Sequence, residues 1–256
     1  MYCKKEYEID LIRESSLLVA KTHAEIVSMI KPGASTLDLD QRAEEFIRDN
    51  GGIPAFKGYN GFPNTLCISP NNQVVHGIPN YKKIENGDIL SVDCGVLMNG
   101  YYGDSAFTYE VGEVDYETKQ LIQVTKESLY KGIEMAIEGN FVGDISYAVQ
   151  QYAESYGYAV VRELVGHGLG KNLHESPEVP NYGLRGSGPL LKEGLVIAIE
   201  PMINMGKRDI VQHNDGWTIT TADNKPSAHF EHTIVIRKGK AEILSSFEEI
   251  EKKING

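Results

Sequence analysis

Positive charge, cysteine and long apolar runs are all in short supply in this chain of 256 residues. Lysine and arginine total 25 against 36 aspartates and glutamates, a formal net charge of -11. A domain that binds nucleic acid by itself is normally basic, because it must neutralise phosphates. Autonomous nucleic-acid binding is therefore not expected. The three cysteines, Cys3, Cys67 and Cys94, stand far apart. That spacing fits neither a disulfide framework nor a zinc knuckle. Apolar runs are short, Gly194 to Ile199 being typical of the longest, so no membrane-spanning helix is expected. The opening Met1-Tyr2-Cys3-Lys4-Lys5-Glu6 leads into Glu8, Asp10 and Arg13 without an apolar stretch of signal length. The cytoplasm is the expected location.

What is present reads as a globular enzyme, with 41% hydrophobic and 24% charged residues. Helical spacing runs from Tyr7 to Ile30 and stops at Lys31-Pro32-Gly33. Ser35 and Asp38 form a capping-box pattern for a second helix, which ends near Asp49 before Gly51-Gly52. Strands are expected around Thr65–Ser69 and Asp88–Met98, with a tight turn at Asn99-Gly100 and a return over Tyr101–Val111. Helices follow at Tyr116–Ile137 and Asp144–Tyr156, and the remainder from Tyr158 reads as mostly strand and loop. A shift that carries Gly33 onto Gly139 also carries Leu39 onto Ile145, Phe46 onto Tyr152 and Gly51 onto Gly157. Chance alignment of two amphipathic helices could give the apolar matches, but both glycine stops match too. The expectation is one domain, residues 1–256, made of two similar α+β halves with a cleft between them.

The hairpin carries the first chemistry. A two-residue turn at Asn99-Gly100 pairs Gly95 with Asp104, which makes Asp93 and Asp104 diagonal neighbours roughly 7–8 Å apart on one face. Gly95 has no side chain to fill the space between them. Aspartate is depleted in strands, and two on one face repel unless protonated or bridged by a cation. Taken alone, the pair fits a wet, exposed face about as well. In the second half the apolar run Gly194–Ile199 ends in Glu200-Pro201, nearly the repeat equivalent of Asp93. Glu231 lies inside a strand-like segment, Ser227–Ile236, where a buried carboxylate needs a partner. His167 sits between Gly166 and Gly168, which leave it room and let the backbone turn. His76 and His174 carry weaker signals. Four carboxylates and a histidine suit two hard or borderline divalent ions rather than a structural zinc. Two such ions about 3.5–4 Å apart can activate one water. The glycines of 166–170 and 183–188 lack nucleotide-binding spacing and read as loops.

The ordered set resembles the type I methionine aminopeptidases of the short bacterial kind. It runs from Cys67-Ile68-Ser69 and Val75-His76-Gly77-Ile78-Pro79 through Asp93, Asp104, Gly166-His167-Gly168, His174-Glu175 and Ala198-Ile199-Glu200-Pro201 to Glu231-His232-Thr233. The resemblance implies the pita-bread fold, two pseudo-symmetric halves around a central curved antiparallel sheet with helices on the outer face. It implies that Asp93, Asp104, His167, Glu200 and Glu231 ligate two divalent ions (Co, Mn, Fe, Zn or Mg), with Asp104 and Glu231 bridging. Glu200 would also act as general base, His174 would bind the scissile carbonyl and His76 would assist the leaving amine. Tyr59, Phe62, Cys67, Leu173 and Trp217 would line the methionine pocket. Phe62 stands where a tyrosine is common and Leu173 where a phenylalanine is common, and both stay apolar. The implied activity removes the initiator methionine from nascent polypeptides, best before a small residue. The implied protein is a monomer with no membrane partner, and ribosome association is left open. The family's N-terminal zinc-binding extension and its type II helical insertion are not expected. The competing readings are an Xaa-Pro aminopeptidase or prolidase, and a non-catalytic binding protein of the same fold.

Overall fold

The computed structural model describes residues 2–255; Met1 and Gly256, the ends of the expected domain, lie outside the described residues. The first half opens with α1 (Glu6–Ile26). Glu8 folds back to accept the Lys5 N–H at 2.9 Å and so caps the first turn. In α2 (Thr36–Asp49), Ser35 Oγ accepts the Asp38 N–H and Asp38 reaches back to the Ser35 N–H, the capping box expected from the sequence. Five strands follow: β1 (Ile53–Pro54), β2 (Leu66–Pro70), β3 (Gln73–Val75), β4 (Ile89–Met98) and β5 (Tyr101–Glu110). β4 and β5 form a ten-residue ribbon whose turn places Asn99 and Gly100 at φ 53° and 78°, the left-handed pair a two-residue hairpin requires. Helix α1 lies across this ribbon. Its approach is so close that a Cβ on Gly103 would come within 2.4 Å of the Ser16 nitrogen.

The second half repeats the helical part. α3 (Tyr116–Met135) and α4 (Val142–Ser155) correspond to α1 and α2, and the shift that carries Thr36–Asp49 onto Val142–Ser155 also carries β1 onto β6 (Ala159–Val160). The strands then break into shorter pieces: β7 (Gly166–Gly168), β8 (Glu175–Val179), β9 (Val196–Ile199), β10 (Met202–Asn204), β11 (Ile210–Gln212), β12 (Ile219–Thr221), β13 (Ser227–His229), β14 (His232–Val235) and β15 (Glu242–Ile243). Pairing between these strands is antiparallel and divided over four sheets. One buried apolar cluster runs through both halves, from Leu39, Ile47 and Val92 to Ile145, Ile199 and Ile234.

After the mostly strand-and-loop segment comes a helix, α5 (Glu248–Asn255); its Ile250 is buried while the flanking charges face out. Three expectations need correction. The strand expected over Ser227–Ile236 is interrupted at Phe230-Glu231, where the Glu231 N–H leaves the ladder to bond Ala106 O in β5. The space at Gly95 is not open, because a Cβ there would meet the Phe56 ring at 2.6 Å and Ala55 at 3.0 Å. Gly166 and Gly168 do not turn the chain but admit neighbouring backbones, Ala198 O at 2.4 Å and Ser176 O at 2.5 Å from the positions their Cβ atoms would take.

Candidate metal centre

Each expected ligand leaves a different element. Asp93 and Asp104 project from the ribbon, with Gly95 opposite Asp104 in the register expected. His167 sits at the middle of β7, Glu200 directly follows β9, and Glu231 occupies the break between β13 and β14. Donor atoms of Asp104, His167 and Glu231 all lie within 4.8 Å of one another. His167 Nε2 is 3.6 Å from Glu200 Oε1 and 3.9 Å from Asp104 Oδ2. Asp93 and Glu200 line the same cavity as those three.

The environment is hostile to four bare carboxylates. Asp104 and Glu231 are buried, and Asp93 Oδ1, Asp104 Oδ1 and Glu231 Oε1 have no hydrogen-bond partner among the described residues. No lysine or arginine among the described residues forms an ion pair with any of the four. Burial raises the carboxyl of Asp93 to about 7. Burial, then the charges of Glu231 and Asp93, raises Asp104. Glu200 rises through burial and then Asp93 and Asp104, and Glu231 through burial and then Glu200 and Asp93. Such a group must bind protons or cations. Burial, reinforced by His174, lowers His167 to about 4, so the ring is neutral. Its Nδ1–H donates to Gly168 O at 2.9 Å. The lone pair on Nε2 therefore faces the carboxylates, the orientation a ligating histidine needs. Orphaned oxygens, a free imidazole lone pair and an absence of organic cations fit divalent metal.

Above these residues lies a cavity of about 270 Å³. His76 enters it from the turn after β3 at φ 58°, a left-handed conformation that costs a non-glycine residue about 1–2 kcal/mol and often marks function. Gly77 holds that turn: its N–H donates to Ser69 Oγ, and a Cβ there would lie 2.2 Å from Ile68 O. His174 stands at the rim, Nδ1 2.8 Å from the Tyr59 hydroxyl and its ring centroid 4.3 Å from that of His167. Its loop is anchored from below. Glu175 accepts the Asn172 N–H at 3.1 Å and pairs with the buried Lys4 at 2.7 Å. Phe62, Cys67 and Leu173 are buried in one apolar cluster with Tyr59 and Trp217 packed against it. Phe62 and Trp217 meet edge to face at 5.2 Å. Every residue expected from sequence thus converges here. Phe56 was missed, because it lies in a loop without periodicity; the glycine opposite Asp104 was the only hint of a large neighbour. His229 was also missed. A wider groove of about 940 Å³, lined by Val27, Phe107, Lys126 and Tyr130, holds none of these residues, and volume alone does not locate the chemistry.

The chain is similar over most of its length to known metallopeptidases. The model of metallopeptidase family M24 matches residues 10–238. Methionine aminopeptidase 1 of Bacillus subtilis (strain 168) is 50% identical over 243 residues, covering 95% of this chain and 98% of that protein. The crystal structure of methionine aminopeptidase from Rickettsia prowazekii superposes with a TM-score of 0.95 at 43% identity, covering 96% of this chain and all of that one (100%). A prolidase from Pyrococcus furiosus shares the fold at a TM-score of 0.78 and 23% identity; the match covers 96% of this chain but 66% of the prolidase.

Proposed function

Because the chain belongs to metallopeptidase family M24 and, within it, to the methionine aminopeptidases, we propose that its residues 1–256 form one catalytic domain whose five ligands hold two divalent ions and release the N-terminal methionine of polypeptides. The observation that carries this reading is the junction of two unlike surfaces. A buried carboxylate cluster without organic cations forms one wall of a cavity whose other wall is apolar and aromatic. Such a wall suits a thioether side chain.

When bound, the ions supply Lewis acidity and lower the cost of deprotonating the attacking water. The protein does the rest. Glu200, raised by burial, accepts that water's proton. His174 donates to the oxyanion that develops on the scissile carbonyl, and the Tyr59 hydroxyl and the Lys4–Glu175 anchor hold its loop. His76, fixed by its strained turn, contacts the scissile nitrogen and assists departure of the amine. Asp104 and Glu231, one from each half, would join Asp93, His167 and Glu200 in holding the ions. Phe62, Cys67, Leu173, Tyr59 and Trp217 enclose the methionine side chain, and a small second residue is preferred. The reading also takes the chain as a cytoplasmic monomer acting on nascent polypeptides; no helix among the described residues is long and apolar enough to cross a membrane.

The test is release of free methionine from Met-Ala-Ser by metal-stripped protein as Mn²⁺, Fe²⁺ or Co²⁺ is returned, with Ala-Pro-Ser and Glu200→Ala as controls. Metal-dependent release by the parent protein only, with Ala-Pro-Ser intact, is expected. Preferential cleavage of Ala-Pro-Ser would move the protein to the proline-specific branch, and failure to bind any of these metals would remove the catalytic reading.

A further inference from the structure

His229 closes β13 with 2% of its surface exposed, and its Nε2 has no hydrogen-bond partner among the described residues. That nitrogen stands 3.9 Å from Glu200 Oε2, while His167 Nε2 faces Oε1 of the same carboxylate at 3.6 Å. Two imidazoles thus address the two oxygens of one glutamate, and the ligand assignment uses only one of them. The backbone of His229 is fixed from the opposite half. Its N–H donates to Thr108 Oγ1 at 3.0 Å, and its carbonyl accepts from the same hydroxyl at 2.7 Å. Pairing with Met202, two residues beyond Glu200, sets it beside that strand. His229 is not among the residues that line the cavity shared by Asp93, Asp104, His167, Glu200 and Glu231.

We propose that His229 is a positioning residue: with metal bound, its Nε2–H closes the present 3.9 Å gap to Glu200 Oε2, donates to that oxygen and fixes the rotation of the carboxylate that both ligates metal and accepts the proton of water. The inference rests on the role given to Glu200 above. A carboxylate with two roles works only if its oxygens are kept distinct, and rotation about its last carbon–carbon bond would exchange them. A donor on one oxygen prevents that exchange and leaves the other to face the cluster. The role requires the imidazole to carry its proton on Nε2, the reverse of a ligand, which would present a lone pair there.

The test compares His229→Ala with His229→Gln, which keeps a side-chain N–H donor. It measures kcat and KM on Met-Ala-Ser in excess Mn²⁺, and Mn²⁺ binding to the stripped proteins by calorimetry. For His229→Ala the expected kcat is about 10–100-fold lower, with KM nearly unchanged and the full number of ions bound; His229→Gln recovers most of kcat. Parental kcat in His229→Ala would overturn the proposal, as would loss of one bound ion in both variants, which would make His229 a ligand. Nitrogen-15 NMR of the unaltered protein loaded with Mg²⁺ keeps the test independent of how the variants fold. A proton on His229 Nε2 supports the proposal and a bare Nε2 refutes it. If Glu200→Ala remains active, the underlying reading fails and this one falls with it. If Glu200→Ala is inactive while His229→Ala is fully active, only the positioning role is lost.

Discussion

In the first half, Gly33 and Gly51 bracket α2 at φ 90° and 79°; in the second, Gly139 and Gly157 bracket α4 at 93° and 82°. Beyond those helices the halves part company. The first sends out an unbroken ten-residue ribbon, and its two aspartates leave mid-strand. The second breaks its strands into three- and four-residue pieces near the site, and its two glutamates leave at a strand end and at a break. The repeat is kept in the scaffold and lost at the site. Helices and left-handed glycines fix the scaffold, so they repeat. The sheet residues face one shared site from two directions, so they do not.

The comparison breaks most visibly at Asp104 and Glu231, the pair proposed to serve both ions. If the halves contribute equally, Asp104→Asn and Glu231→Gln each lower kcat/KM by about 10³-fold, within the usual range for losing a group that acts directly on the chemistry. Steady-state assays with Met-Ala-Ser measure this, and near-parental activity in either variant would make the site the property of one half. The pocket offers a milder version. Phe62 comes from the first half and Trp217 from the second, and they touch. Phe62→Ala and Trp217→Ala should each raise KM for methionine peptides by about tenfold, a loss of about 1.4 kcal/mol. An unchanged KM would remove that ring from the pocket.

Charge tests the cluster as a whole. Without metal, burial raises Asp93 to about 7 and raises Asp104, Glu200 and Glu231 as well. A group whose folded value is raised stabilises the fold fully below its unfolded value, about 4, and that contribution is lost as pH rises through the folded value. The metal-free protein therefore loses stability from about pH 4 to beyond pH 7, the raised value of Asp93. Cations that hold the carboxylates ionised remove the loss. Thermal melts should show the gap in Tm between loaded and metal-free protein widening from about pH 5 to about pH 8; a constant gap would contradict the shared cluster. The smallest effect sharpens the scaffold side. Nothing lies within 4 Å of a Cβ on Gly33 or Gly139, so alanine there meets only the strain of a left-handed backbone, about 1–2 kcal/mol. Each variant should melt about 2–8 °C lower with kcat unchanged, and unequal losses would show that the helical repeat is not equivalent.

Much of this was legible in the sequence because it rests on short-range rules. The Ser35–Asp38 cap, the Asn99-Gly100 turn and the Gly95–Asp104 register follow from local chemistry, and the glycine stops exposed the repeat. The resemblance to a known family supplied the pocket and the roles of His76 and His174, which no spacing gives. What escaped depended on distant contacts. Helix α5 is eight residues long and docks through Ile250, too little pattern to separate from a charged tail. The break at Phe230-Glu231 exists because Glu231 bonds across to Ala106, a partner 125 positions away. His229 looked like any strand histidine until its Nε2 was seen facing Glu200.

The central claim is that both halves jointly hold the metal. Crystals of the metal-loaded protein, with anomalous diffraction measured at the manganese edge, test it most directly. Two peaks about 3.5–4 Å apart are expected, flanked by Asp104 and Glu231 together and within ligand distance of Asp93, His167 and Glu200. The absence of any peak there, or a peak held by residues of one half alone, would contradict it.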